Sequence, residues 1–131
     1  MAFHPAIAAK DAAAGVGAVD YRLQRRRTLA DLKAGKVAPS EVCDAHPELL
    51  RVARNCASPS ATACPVCAVV GHLSVVHYVF GTRLPASGKL ALSEEELDRY
   101  LRLTGEFSAY QVEVCSECGW NHLIRRIPLR P

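Results

Sequence analysis

Aromatic residues are few in this sequence: one Trp, four Tyr and three Phe among 131 residues. A core of ordinary size therefore cannot lean on large rings, and a metal-tied cluster is the natural substitute for them. Long apolar runs are missing too. No stretch approaches the roughly 20 apolar residues that a membrane-crossing helix needs, so no membrane span is expected. The opening MAFHPAIAAKDAAAGVGAV has no basic residue ahead of its apolar stretch, and Lys10-Asp11 and two glycines interrupt it. It does not read as a secretory signal, and the expected location is the cytoplasm. No Gly-rich phosphate loop and no nucleophile elbow is present, so neither points to nucleotide or hydrolase chemistry. A strong overall charge is also lacking, since 16 Lys/Arg face 13 Asp/Glu for a net +3.

What is present suffices for one folded domain. Half of the residues are hydrophobic, which argues against wholesale disorder. The charge is uneven: residues 1–63 hold nine Lys/Arg against six Asp/Glu, and residues 64–131 hold seven of each. Residues 1–18 are rich in Ala and Gly without hydrophobic period and read as a flexible tail. From Val19 to Lys33 a helix is expected, with Asp20 as its cap, Tyr21, Thr28, Leu29 and Leu32 on one side, and Gly35 as its stop. Arg25 falls on that same apolar side. The stretch APSEVCDAHPELLRVARN reads as a turn and a second helix, with His46, Leu49, Leu50 and Ala53 at helical spacing and Pro47 in the first turn. Residues 19–56 thus form a helical region, and ASPSATA (57–63) a linker.

Beyond the linker the period changes. HLSVVHYVF (72–80), rich in β-branched and aromatic side chains, FSAYQVEV (107–114) and NHLIRRIPL (121–129) read as strands. In the middle one Tyr110, Val112 and Val114 alternate with Gln111 and Glu113. Ser93 with Glu96 makes a capping box for a short helix after the loop GTRLPASGKL.

Six cysteines in a chain without an export signal favour reduced thiols or metal over disulfides. Cys64 and Cys67 form CPVC just before the first of these strands. Cys115 and Cys118 lie in CSECGWNH, between the second and third. Two such turns face to face offer four thiolates at about 2.3 Å from one tetrahedral zinc. Gly119 suits the positive φ that this kind of turn often needs, and Ala68 holds the equivalent place in the first turn. Redox chemistry is the rival, because CPVC resembles a glutaredoxin motif. That chemistry wants its first cysteine at a helix N-terminus, whereas here a strand follows. A four-cysteine site has no open position at which to activate water, which argues against zinc hydrolysis.

Other residues invite two readings. Cys43 and His46, in CDAH, have the spacing of a metal pair or of a Cys–His nucleophile. The plainer reading packs Cys43 between helices, with Asp44 as a cap and His46 in a first turn. His122 is most simply a strand residue. Trp120 is either a platform for a base or a packing residue against the metal turns. Arg22, Arg25, Arg26 and Arg27 crowd one helix, and Arg125 and Arg126 the last strand. They can grip phosphates of RNA or DNA, face an acidic protein, or simply be solvated. Four thiolates and one zinc would lower the net charge from +3 to +1, so the overall balance does not argue for nucleic acid.

At VCDAHPELL, CPVC, SGK and EVCSECGWNHL the chain resembles a small actinobacterial family of unknown function. The resemblance runs from about Val19 to Leu123 and implies a cytoplasmic zinc-ribbon-like protein, with Cys64, Cys67, Cys115 and Cys118 as its metal residues. Ala68 departs from the glycine that usually follows the first cysteine pair in that family. It implies no reaction and no small-molecule substrate. The expected fold is α+β: a helix pair docked on a three-stranded antiparallel zinc ribbon (64–131) with one short inserted helix. The expected function is a non-enzymatic accessory module, holding one structural Zn2+, of a large protein or ribonucleoprotein complex in transcription or translation. A protein–protein adaptor unrelated to nucleic acid and a Cys/His enzyme are the alternatives.

Overall fold

The computed structural model describes residues 18–129; the tail expected over 1–18 falls almost wholly outside them. In chain order the elements are β1 (Val19–Asp20), α1 (Arg22–Lys33), α2 (Pro39–Val42), α3 (Pro47–Asn55), β2 (Leu73–Gly81), β3 (Lys89–Ala91), α4 (Glu94–Leu101), β4 (Phe107–Cys115) and β5 (Asn121–Leu129). The sheet is antiparallel, in the order β1-β5-β4-β2-β3. The fold is α+β as expected. The three expected strands form its centre, but the sheet has five strands rather than three, and the helical part is three segments rather than a pair.

Each difference has a local cause. The first helix starts three residues later than expected because Val19 and Asp20 pair with Arg126 and Arg125 at the sheet edge, and the Tyr21 N–H donates to the Ile124 carbonyl, 2.9 Å. The Asp20 carboxylate still accepts the Arg22 N–H at 2.9 Å, so it does a capping residue's work from just outside the helix. Gly35, at φ 77°, ends α1 in the left-handed conformation that suits glycine. The expected second helix is divided because Pro47 disfavours helical geometry at the residue before it. His46 sits at φ −56°, ψ 141°, and its Nδ1 accepts the Glu48 N–H at 3.2 Å. The cap of α3 is therefore His46, and not Asp44. The loop 81–90 supplies the extra edge strand β3. At α4 Ser93 Oγ accepts the Glu96 N–H, 3.2 Å, but the Glu96 carboxylate reaches back to the Leu92 N–H, 2.9 Å. The box closes one residue early.

The apolar residues collect in three clusters. Val76, Tyr78 and Phe80 of β2, Tyr110, Val112 and Val114 of β4 and Leu123 of β5 bury one sheet face under Leu49 and Ala53 of α3 and Tyr21. Phe80 and Tyr110 meet edge to face, their centroids 5.1 Å apart. At one end of the sheet Val42, Cys64, Leu73, Cys115 and Trp120 pack with Leu29 and Leu32 of α1. At the other, Val79, Ala91 and Phe107 pack with Leu97 and Tyr100 of α4. Residues of the helical segment and of the sheet share the first two cores. The intervening segment is tied down as well, since the Ser60 N–H donates to the Leu73 carbonyl at 2.7 Å.

Two charged side chains depart from an outward polar face. Glu113 is buried, and its carboxylate accepts the Trp120 indole N–H (2.8 Å) and the Arg25 Nε (2.9 Å). That explains why Arg25 lies on the apolar side of α1: its partner is inside. Arg126 is buried because the β4–β5 register shifts between Gln111 and Val112. One extra residue there exchanges the faces of the strand beyond it, so that Arg126, and not Arg125, stands opposite Tyr110.

The Glu113–Arg25–Trp120 contact joins α1, β4 and the turn before β5, so Glu113→Ala is expected to leave a half-buried cation and a buried indole N–H without their acceptor. The expected loss is about 2–3 kcal/mol, below that of a fully buried broken pair because Arg25 is partly accessible. Asp20→Ala removes a solvent-exposed pair with Arg22, worth little, and the carboxylate that caps the start of α1, so it is expected to cost a measurable amount but less than Glu113→Ala. Urea unfolding of the two variants beside the parent chain checks this.

Candidate metal centre

The four cysteines selected by their spacing come together at the end of the sheet. Their sulfurs all lie within 4.8 Å of one another. Cys64 Sγ is 3.7 Å from Cys118 Sγ, and Cys67 Sγ is 3.7 Å from Cys115 Sγ. Four thiolates at about 2.3 Å from one tetrahedral ion stand about 3.8 Å apart. The residues therefore fit a single ion, with two ligands from each turn.

Both turns are built alike. The Ala68 N–H donates to the Cys64 carbonyl and the Gly119 N–H to the Cys115 carbonyl, both 3.0 Å. The Cys64 N–H donates to Val69 O (3.1 Å) and the Cys115 N–H to Trp120 O (2.8 Å). Backbone N–H groups of Val66 and Trp120 point at Cys64 Sγ and Cys118 Sγ, each 3.4 Å, spreading thiolate charge as outer donors do around a metal. The residue after each pair takes positive φ, Gly119 at 85° and Ala68 at 63°. The substitution of alanine thus leaves the first turn regular and costs it backbone strain instead.

Packed together, these thiols resist ionisation. Burial pushes the Cys64 thiol up to about 11, and burial, with Cys64 and Cys115 alongside, raises Cys118. The Val69 N–H draws Cys67 down. Without a positive ion these sulfurs cannot all be ionised in so small a space.

The surroundings brace the second turn. The Ala45 N–H donates to the Gly119 carbonyl, 3.1 Å, and Asn121 Nδ2 donates both to that carbonyl (3.2 Å) and to Asp44 Oδ1 (3.1 Å). Trp120 is fully buried and lies 5.7 Å from the His122 ring, nearly parallel to it. His122 is buried too, its Nδ1–H donating to the Leu123 carbonyl at 2.7 Å. Neither ring presents a face to a base or a substrate. Cys43 packs into the core that holds the metal cysteines together with Leu29 and Leu32 of α1 and Val42 of α2, and burial pushes its thiol up, away from the range of a nucleophile. His46 Nδ1 serves as the α3 cap.

The candidate binding surface loses members in the same way. Trp120 and Arg126 are buried, Arg25 is joined to Glu113, and Arg22 pairs with Asp20 at 2.7 Å. Arg26 and Arg27 remain exposed and Arg125 half-buried. Glu113, Asp44 and Asn121 went unnoticed as supports of the site. The one sequence signal for them was the misplaced arginine at 25.

These features define an α+β domain with a four-cysteine site of metal-binding geometry. The chain belongs to a family of unknown function, DUF5318, whose profile matches residues 14–129. It is 43% identical over 107 residues to Uncharacterized protein Rv0049 of Mycobacterium tuberculosis and to Uncharacterized protein Mb0050 of Mycobacterium bovis, covering 82% of this chain and 77% of each relative. No solved structure matches it significantly.

Three outcomes are expected. Cys115→Ser is expected to reduce the metal content from one ion per chain and to cost several kcal/mol, read by elemental analysis and thermal melting. Because protons must leave Cys64 and Cys118 for the metal to enter, uptake is expected to release protons and affinity to fall as pH falls; titration in buffers of different ionisation enthalpy measures this. Ala68→Gly is expected to stabilise the metal-loaded protein by up to about 1 kcal/mol, since relief of positive-φ strain outweighs the extra freedom of glycine in the unfolded chain. A lower melting temperature for that variant would contradict the strain argument.

Proposed function

We propose that the chain is a non-enzymatic cytoplasmic module built around one structural zinc, and that it docks on a protein component of a large transcription or translation complex. The observation that carries the zinc reading is the pair of 3.7 Å sulfur–sulfur separations within a four-thiol set. An all-thiol tetrahedral set suits zinc. Such a shell is closed, so the ion holds structure and has no position for a reacting water. It fastens the β2 and β4 ends of the sheet and, through the second turn, the segment 43–45.

The link to transcription or translation machinery rests on analogy with small zinc-bearing sheets, which present rigid surfaces to such assemblies. Contact with protein, rather than directly with RNA or DNA, is supported by what the surface offers. Several of the arginines that might have gripped phosphates serve inside the fold or in local ion pairs. Exposed Val69 and Val70, just after the first metal turn, and exposed Leu23 beside Arg26 and Arg27 offer apolar area with adjacent charge. That mixture suits a protein surface better than a phosphate backbone.

The test is affinity purification of the tagged chain from its native cells, with and without nuclease. Retention of one large complex after nuclease treatment is the expected result, weakened by Val70→Asp with zinc content unchanged. Loss of all partners on nuclease treatment would instead favour direct nucleic-acid binding. In that case log affinity should fall with log salt by about 0.9 per phosphate neutralised on duplex DNA, less steeply in Arg26→Ala and Arg27→Ala. Retention of a partner with no tie to either machinery would favour the adaptor reading.

A further inference from the structure

The sheet edge on the β2 side is covered unevenly. β3 pairs with His77, Tyr78 and Val79, and at the other end the Ser60 N–H donates to the Leu73 carbonyl, 2.7 Å. Peptide groups along an antiparallel strand point alternately to its two sides. Leu73 turns its carbonyl outward, away from β4, so Val75, two residues on, faces outward as well. Among the described residues nothing pairs with the Val75 N–H or carbonyl on that side, and Val75 is 48 % exposed. From Leu73 to His77 is roughly 13 Å of strand, room for a short extended segment and no more.

A cleft of about 410 Å³ opens at this gap, a volume in the range of ligand sites. Val75, Ala109 and Ile127 of the sheet, with Leu92 and Leu97 beside it, make it mainly apolar. The polar pair within it is neutral. His77 and Gln111 stand opposite each other in the ladder, and the Gln111 amide nitrogen, which can only donate, gives a hydrogen bond to His77 Nε2, 3.1 Å. Burial holds the His77 pKa down. Glu94, exposed at the start of α4, is the one charged side chain among the described residues that line the cleft. Glu95 and Glu96 follow it in the same turn, so the field at this end of the cleft favours a cation.

We propose that the gap and the cleft receive an extended peptide segment of a partner protein, its backbone paired with Val75, one aliphatic side chain in the cleft and a Lys or Arg beside Glu94. The proposal rests on the reading of the chain as a protein-docking module and names a place where docking occurs. Each feature selects for part of such a segment. The outward N–H and carbonyl of Val75 call for an extended main chain, which adds to a sheet edge through two exchanged hydrogen bonds. The apolar walls call for a side chain without charge. Glu94 calls for a basic neighbour and disfavours acidic ones. A phosphate backbone has neither the amide groups nor the sign of charge for this place. Ser60 on one side and β3 on the other keep the added segment short, which protects the edge against open-ended pairing with other sheets.

The experiment pans a display library of random heptapeptides on the full chain, then titrates the selected peptides into nitrogen-15-labelled chain by NMR. The expected motif is an aliphatic residue next to Lys or Arg, and binding is expected to slow hydrogen exchange at the Val75 amide. Val75→Pro removes only the outward N–H and leaves the β4 ladder intact; it is expected to weaken binding about tenfold, the worth of one hydrogen bond. Glu94→Lys, at an exposed position, is expected to weaken it severalfold and decides the matter even if the proline variant folds poorly. No enriched motif, an acidic motif, or equal binding by Glu94→Lys would overturn the proposal. So would a Val75 amide protected before any peptide is added, because a second copy or the chain itself would then fill the gap. Undiminished capture of a large complex by Glu94→Lys would sink this site and leave the docking reading standing. The expected motif and variant effects with no complex captured would support the site and sink that wider reading.

Discussion

Four sulfurs held within 4.8 Å of one another are the constraint on which the rest of the structure turns. Ionised without a cation they repel; protonated, they fill one end of a small core with weakly cohesive groups. A dication reverses this, since each thiolate is then attracted to a common centre. The two turns that carry the sulfurs flank adjacent strands, the first before β2 and the second between β4 and β5. The register of those strands, Leu73 opposite Cys115, is what brings the turns face to face. Sheet pairing and metal geometry therefore support each other.

From that end the order spreads to the helical segment by polar contacts as much as by apolar ones. Glu113 lies one residue before Val114 and two before the first cysteine of the second turn, and it receives both the Trp120 indole and Arg25. The largest side chain of the core is thereby oriented by a carboxylate, and the same carboxylate anchors α1. Helix α1 buries no side chain completely. It stays on the sheet through Leu29, Leu32 and this ion pair, which makes a buried charge pair a positional device here.

Much of this was legible in the chain. The three long strands were legible, one by its alternation and another by its β-branched and aromatic composition, and the metal residues showed in two C-x-x-C pairs placed at strand ends. What could not be read had non-local causes. Nothing near Arg25 names Glu113 as its partner, 88 residues away. The burial of Arg126 depends on a one-residue shift against β4, which alternation along β5 alone cannot reveal. The edge strands β1 and β3 are two and three residues long, too short to carry a period, and form because a neighbouring strand offers them partners. The break before Pro47 lays the backbone of Cys43 against the second metal turn, close to Gly119, a placement that depends on a turn far along the chain.

The pairing of β1 with β5 has a consequence for how the chain is made. Synthesis delivers residues 19 and 20 early and their partners, residues 125 and 126, roughly a hundred residues later. Helix α1 buries too little to stand alone, and its anchors Glu113 and Trp120 also come late. On the ribosome the leading segment must therefore wait, exposed, while nearly all the rest of the described chain emerges, and its docking closes the fold rather than starting it.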